Sequence, residues 1–295
     1  MDVLLPRTLA EALDVKAAHP DVVPIAGGTD LMVDLNFDRR RPGSLMDISR
    51  LPELAVWRRE DGHLFLGAGL TYTRIIGDLA AFGPLVDACR TVGSPQIRNR
   101  GTVGGNLGTA SPAGDALPVL AAYDADVVLI SAAGTRILPW GEFLIGPKRS
   151  ALRPDELVLG ARWRIVRGPG SFSKVGPRNA MVIAVASLCL VVDEDRREVR
   201  AALGSVGPTI LRARAAEQEI ARALESAGVW DDPAAAVPRE AVERFQSAVA
   251  AAARPIDDVR GSAAYRRHAC GVLARRALSW ALQDRRTAAG APPAR

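Results

Sequence analysis

Two glycine-rich stretches hold the residue types best suited to gripping an anion. "PIAGGTDL" (24–31) sets Gly27 and Gly28 between apolar runs, with Thr29 and Asp30 behind them. About 75 residues later, "RNRGTVGGNLGTASPAGDALPVLAA" (98–122) has a second pair, Gly104 and Gly105, with Thr102 in front and Asn106 behind. Consecutive peptide N–H groups in such turns can point into one concavity, and glycine lets a phosphate come close because no Cβ blocks it. Two loops of this kind could hold both halves of a pyrophosphate. Asn106 adds a side-chain donor, and Asp115, at the start of an expected helix, could cap that helix or accept from a sugar hydroxyl. Taken singly, either loop fits an ordinary tight turn as well as a ligand loop; the pair, with these flanks, favours a ligand.

Other chemistry has little material. "GAGLTY" (67–72) follows a strand and precedes a helix, but Tyr72 stands where a dinucleotide fingerprint needs its third glycine. There is no phosphate-loop lysine motif, no H-E-x-x-H and no G-x-S-x-G. The histidines (His19, His63, His268) and cysteines (Cys89, Cys189, Cys270) are far apart. They make neither a metal knuckle nor a disulfide framework, and a [2Fe–2S] cluster of the usual kind needs four cysteines.

The elements that must position the loops are readable from pattern. Helical spacing over 7–18 leads to the strand "VVPIA", the first glycine pair and a second strand "LMDI" (45–48). "HLFLGAGLTYTRI" (63–75) reads as strand, glycine turn and helix start. Helical patterns follow at 79–91 and 115–123, and then comes a hairpin from "DVVLIS" to "RILP". A β-rich stretch runs through "ELVLGARWRIV" (156–166), "GSFSKVG" (170–176), "AMVIAVASLCLVVD" (180–193) and "EVRAALGSVG" (198–207). From Arg212 the chain turns helical. The last helix is expected to pack Tyr265, Ala269, Val272, Leu273 and Trp280 on one face, with Arg266, Arg275 and Arg285 elsewhere.

With 295 residues, 48% apolar and 24% charged, the chain has the composition of a globular protein. Its longest apolar stretch, 180–192, falls short of the ~20 residues of a membrane helix and reads as a buried strand. No secretory leader is visible at the start, so the expected compartment is the cytoplasm. The net charge of +5 comes from scattered arginines with little aromatic interleaving, which argues against nucleic-acid binding.

"PIAGGTDL", "RNRGTVGGNLGTASPAGDALPVL", "PDELVLG" and "FSKVGPRNAMVIAVAS" together resemble the FAD-binding medium subunit of molybdenum hydroxylases, the carbon monoxide dehydrogenase and xanthine dehydrogenase family. The resemblance spans about residues 3–283. It implies an α+β protein: a two-subdomain FAD-binding domain of the vanillyl-alcohol oxidase type (1–55 and 56–172), then a C-terminal domain with a small antiparallel sheet and helices (173–283). A disordered tail (284–295) would follow. By the same matching, Ile25, Ala26, Gly27, Gly28, Thr29, Asp30 and Leu31 would wrap the FAD pyrophosphate. Thr102, Gly104, Gly105 and Asn106 would form the opposing loop, Asp115 would bind FAD hydroxyls, and Val158 would line the cleft. Lys174 would reach the flavin as a cation, and Arg178 would lie near its ring.

The implied role is electron transfer without acid-base catalysis. Substrate would be oxidised on a molybdenum-cofactor large subunit, electrons would pass through a [2Fe–2S] small subunit, and FAD would deliver them to an acceptor such as NAD, oxygen or a quinone. A stand-alone FAD oxidase or reductase is the alternative, though no acid-base group for it is apparent. A scaffold that has lost FAD would be expected to show degraded glycine loops, and these are intact.

Overall fold

The structure is a computed structural model that describes residues 1–290. Along the first half of the chain lie β1 (Asp2–Leu4), α1 (Leu9–Ala18), β2 (Val23–Ile25), α2 (Leu31–Asn36), β3 (Ser44–Asp47), β4 (Trp57–Glu60), β5 (His63–Gly67), α3 (Tyr72–Asp78), α4 (Gly83–Thr91), α5 (Pro95–Arg100), α6 (Val103–Thr109), α7 (Ala116–Ala122), β6 (Asp126–Ser131) and β7 (Gly134–Pro139). Then come α8 (Trp140–Phe143), β8 (Leu144–Gly146), β9 (Arg149–Ser150), β10 (Leu157–Arg164), β11 (Gly170–Val175), β12 (Ala186–Asp193), β13 (Glu198–Gly204), β14 (Leu211–Arg212), α9 (Arg214–Ser226), α10 (Arg239–Ala252) and α11 (Ala263–Ala288).

These elements form two units. The first comprises Met1–Ala80, Val92–Ser111 and Asp124–Arg164. It holds a parallel three-stranded sheet in the order β1-β3-β2 and an antiparallel five-stranded sheet in the order β4-β5-β10-β6-β7. Ala12, Val22, Met46, Leu51, Leu54 and Leu157 share one apolar cluster there. The second unit comprises Ala81–Thr91, Pro112–Tyr123 and the chain from Ile165 onward. Its antiparallel sheet runs β11-β12-β13-β14. β12 is buried along its whole length, which accounts for its mostly apolar sequence: α9, α10 and α11 supply Ile220, Phe245 and Leu278 to the core of its sheet, and α7 also packs on it.

Four features differ from the sequence expectation. α4 and α7, expected in the second FAD subdomain, belong to the second unit; all seven residues of α7 are buried, and α4 covers β11. The apolar run 180–192 is a strand only from Ala186; before it the chain loops, with Met181 (φ +52) and Ile183 more than half exposed. The last helix keeps part of its expected face, with Ala269 and Leu273 buried and Arg275 exposed, but Arg266 and Arg285 are buried while Tyr265 and Trp280 are exposed. Those arginines satisfy buried carbonyls, Arg266 that of Ser205 and Arg285 those of Val229 and Trp230. α11 also continues to Ala288, into the stretch expected as tail, of which residues 291–295 lie outside the described residues.

Candidate cofactor site

The first glycine loop leaves β2 at Ile25, whose carbonyl accepts from Ile48 N. Gly28 takes the left-handed conformation (φ +74), and its carbonyl accepts from Met32 N to begin α2. Between them, the backbone N–H groups of Ala26, Gly27, Gly28, Thr29 and Asp30 donate to no protein acceptor among the described residues. Five consecutive N–H groups without a protein acceptor, in a turn with a left-handed glycine, leave donors available to anionic oxygens.

Gly27 has a different reason to be glycine from the one expected. A Cβ there would lie 1.9 Å from the Arg100 carbonyl oxygen and 3.0 Å from Gly101 N. The backbone of the second loop, not a phosphate, fills the side-chain position. Gly28 has room, since a Cβ would meet only the Met32 and Ile25 side chains at 3.3 and 3.4 Å; its backbone angle is what requires glycine.

The second loop is a helix, α6, despite three glycines in seven residues. Thr102 caps it, its Oγ1 accepting from Gly105 N at 2.9 Å. Val103 N donates to Leu70 O, Gly104 N to Ala68 O and Asn106 N to Thr102 O. The N–H groups of residues 103–106 are thus already engaged, and the expected second row of anion donors is corrected: this loop is a wall, not a mirror of the first. Gly104 is pressed on β5's terminal turn, where a Cβ would lie 2.5 Å from Ala68 Cβ. At the other end of α6, Thr109 donates to Asp30 Oδ2 at 3.2 Å, so a second contact ties the two loops.

The platform for this wall is "GAGLTY", a stretch that lacks the glycine pattern of a dinucleotide site. Tyr72 is buried, donates its hydroxyl to Thr102 O at 3.2 Å and presents its ring to Gly101. Leu159 O accepts from Ala68 N. Beside it, Val158 is buried in β10 opposite Leu129, at a shift in strand register. Small residues between a strand and a helix were the available signal for this platform.

In the second unit, Asp115 precedes α7 but makes no cap hydrogen bond. Its Oδ2 accepts from Lys174 Nζ at 2.6 Å, while Oδ1 is buried with no hydrogen-bond partner. Burial pushes this carboxyl up to about 6, against the opposing pull of the Lys174 ammonium and a smaller one from Thr91. Lys174 Nζ also donates to Thr91 O at 2.7 Å and to Val182 O at 3.1 Å. An ammonium has three protons, so these three acceptors occupy the cation expected to reach the flavin. Arg178 folds onto its own loop, donating to Ala180 O and Met181 O.

The three cysteines are free and buried, and burial raises the Cys270 thiol to about 12. Among the described residues, no group of three or more His, Cys, Asp or Glu side chains is placed to hold a metal ion. No helix among them is long and apolar enough to cross a membrane.

Residues 1–162 match the family described as "FAD binding domain in molybdopterin dehydrogenase", and 171–281 match "CO dehydrogenase flavoprotein C-terminal domain". The chain belongs to the FAD-binding medium-subunit family of the molybdenum hydroxylases. Among relatives of this medium subunit, the nicotinate dehydrogenase FAD-subunit of Eubacterium barkeri is 37% identical over 64% of this chain and 68% of its own. The glyceraldehyde dehydrogenase medium chain of Sulfolobus acidocaldarius is 30% identical over 92% of this chain and 95% of its own. A solved carbon monoxide dehydrogenase from Hydrogenophaga pseudoflava superposes with a TM-score of 0.83 at 27% identity, covering 97% of this chain and 98% of that one. The medium subunit is therefore an FAD-binding oxidoreductase component with the expected α+β fold.

Each unit, taken by itself, holds a group suited to FAD. The loop at 26–30 has five uncommitted N–H donors, suited to pyrophosphate oxygens, and Asp115 Oδ1 is a buried acceptor with no donor, suited to a hydroxyl.

Proposed function

We propose that this chain is the electron-relay subunit of a molybdenum-dependent hydroxylase or dehydrogenase. It takes electrons from a [2Fe–2S] small subunit, fed by a molybdenum-cofactor large subunit, and passes them to an acceptor such as NAD, oxygen or a quinone. Bound FAD supplies the redox chemistry, exchanging electrons singly or in pairs.

The chain's own residues bind and orient. Ile25, Ala26, Gly27, Gly28, Thr29, Asp30 and Leu31 form the pyrophosphate loop, whose free N–H groups are the observation that carries the proposal. Thr102, Gly104, Gly105 and Asn106 hold that loop's wall, and Val158 backs the sheet behind it. In the second unit, taken by itself, Asp115 offers Oδ1 to a hydroxyl and Lys174 compensates its charge.

Purification of the chain alone and with the products of neighbouring genes tests this, read by visible absorbance. Flavin bands from the chain alone, with iron-sulfur absorption only in the complex, are expected. A chain that takes up no flavin after reconstitution overturns the proposal.

A further inference from the structure

Lys174 sits in β11 with its side chain 7% exposed, and its ammonium meets three groups from three places in the sequence: Thr91 O at the end of α4, Asp115 Oδ2 before α7, and Val182 O in loop 176–185. The first two are on elements fixed by apolar packing, because α7 is wholly buried and α4 buries Leu85, Val86, Ala88 and Cys89. The third is not. Loop 176–185 leaves Met181 and Ile183 exposed, and Arg178 donates to carbonyls of that same loop. Its other anchors are the Val185 N to Val175 O bond that opens the strand pair, and Gly176, where a Cβ would lie 2.3 Å from the Val182 side chain.

We infer that Lys174 is a positioning residue that latches loop 176–185 to the Asp115 carboxylate, so that one ammonium sets both the loop's conformation and the acceptor geometry at Asp115. Without the ammonium, the Val182 carbonyl loses its link to the packed body of the unit. Conversely, a donor arriving at Asp115 Oδ1 draws on the carboxylate that holds Lys174, which transmits binding at Asp115 to Met181 and Ile183. This second half rests on the proposed FAD role; the latch itself does not.

Hydrogen exchange of the full chain without flavin tests the latch, comparing wild type with Lys174→Met and Lys174→Arg. Exchange of the Val185 amide, the loop's hydrogen-bonded N–H, should accelerate about tenfold or more in Lys174→Met, with peptides from β13 and α10 unchanged and with partial recovery in Lys174→Arg. Unchanged loop exchange, or equal acceleration throughout the unit, overturns the inference. Lys174→Met leaves Asp115 without its partner, so the double variant Asp115→Asn, Lys174→Met, which removes both charges, serves if the single variant does not fold. Repeating the comparison with FAD should slow loop exchange in wild type but not in Lys174→Met. If FAD binds and slows the loop equally in both, the coupling is wrong; if FAD does not bind at all, the FAD reading fails while the flavin-free comparison still decides the latch.

Discussion

The α-carbon of Gly27 faces the carbonyl oxygen of Arg100 so closely that a Cβ would lie 1.9 Å from it. Two segments more than seventy residues apart therefore meet backbone to backbone, and the open N–H row at 26–30 keeps its shape because the second loop supports it.

Gly27→Ala should destabilise the chain by about 3 kcal/mol, the upper range of an overpacked contact, since the obstructing atoms are backbone. Gly28→Ala should lose only about 1–2 kcal/mol, the penalty of left-handed backbone for an alanine. Urea unfolding of both separates them. Flavin retention measured in parallel should fall further in Gly27→Ala. Gly104→Val is a poor probe of phosphate crowding, because it strikes Ala68 first.

Gly108 is an exposed helical glycine where an added methyl would meet nothing within 4 Å, so it supplies the control. Gly108→Ala should raise stability by about 0.5–1 kcal/mol through helix propensity alone. A loss instead would mean that α6 needs a flexible position there.

Thr102→Ala removes the acceptor of Gly105 N and should weaken the start of α6 by about 1 kcal/mol, whereas Thr102→Ser should keep most of it. Thermal unfolding compares the two, and equal losses would shift the importance from the hydroxyl to the methyl.

Asp115 makes stability depend on pH with a definite sign. Its folded pKa is raised to about 6, so the folded chain holds this proton more tightly than the unfolded one. The stabilisation is present below the ordinary carboxylate range and is lost as pH rises toward 6. Relative to Asp115→Asn, wild type should lose on the order of 2–3 kcal/mol between pH 4 and 7. Denaturant midpoints at both pH values check it; a gap that grows in wild type's favour contradicts the assignment.

Arg285 donates to Val229 O, Trp230 O and Glu194 while lying over the Trp230 ring. Arg285→Leu should lose about 3 kcal/mol by leaving buried carbonyls unpaired. Arg285→Lys should recover part of it, measured by urea unfolding.

The fold is largely legible in the sequence, because period-two and helical patterns mark β6, β7, β10, β13, α9 and α10. What stays hidden follows from long-range contacts. Gly27 reads as a ligand glycine because nothing local reveals that Arg100 fills its side-chain space. α6 reads as a loop because glycines lower helix propensity, yet Thr102 and the turn at Ala68 hold it helical. Arg266 and Arg285 break the amphipathic expectation because a buried arginine is stable only where carbonyls and carboxylates await it, and those come from Ser205, Val229 and Glu194. Lys174's partners lie at Thr91, Asp115 and Val182, a convergence that spacing cannot show.

The second unit takes α4 and α7 from within the first half of the chain. A gene fragment starting at residue 165 would encode its sheet without two of the helices that bury it, leaving much of the apolar surface under β11, β12 and β13 wet. The core of this unit is thus completed only when chain from both sides of the apparent domain junction is present.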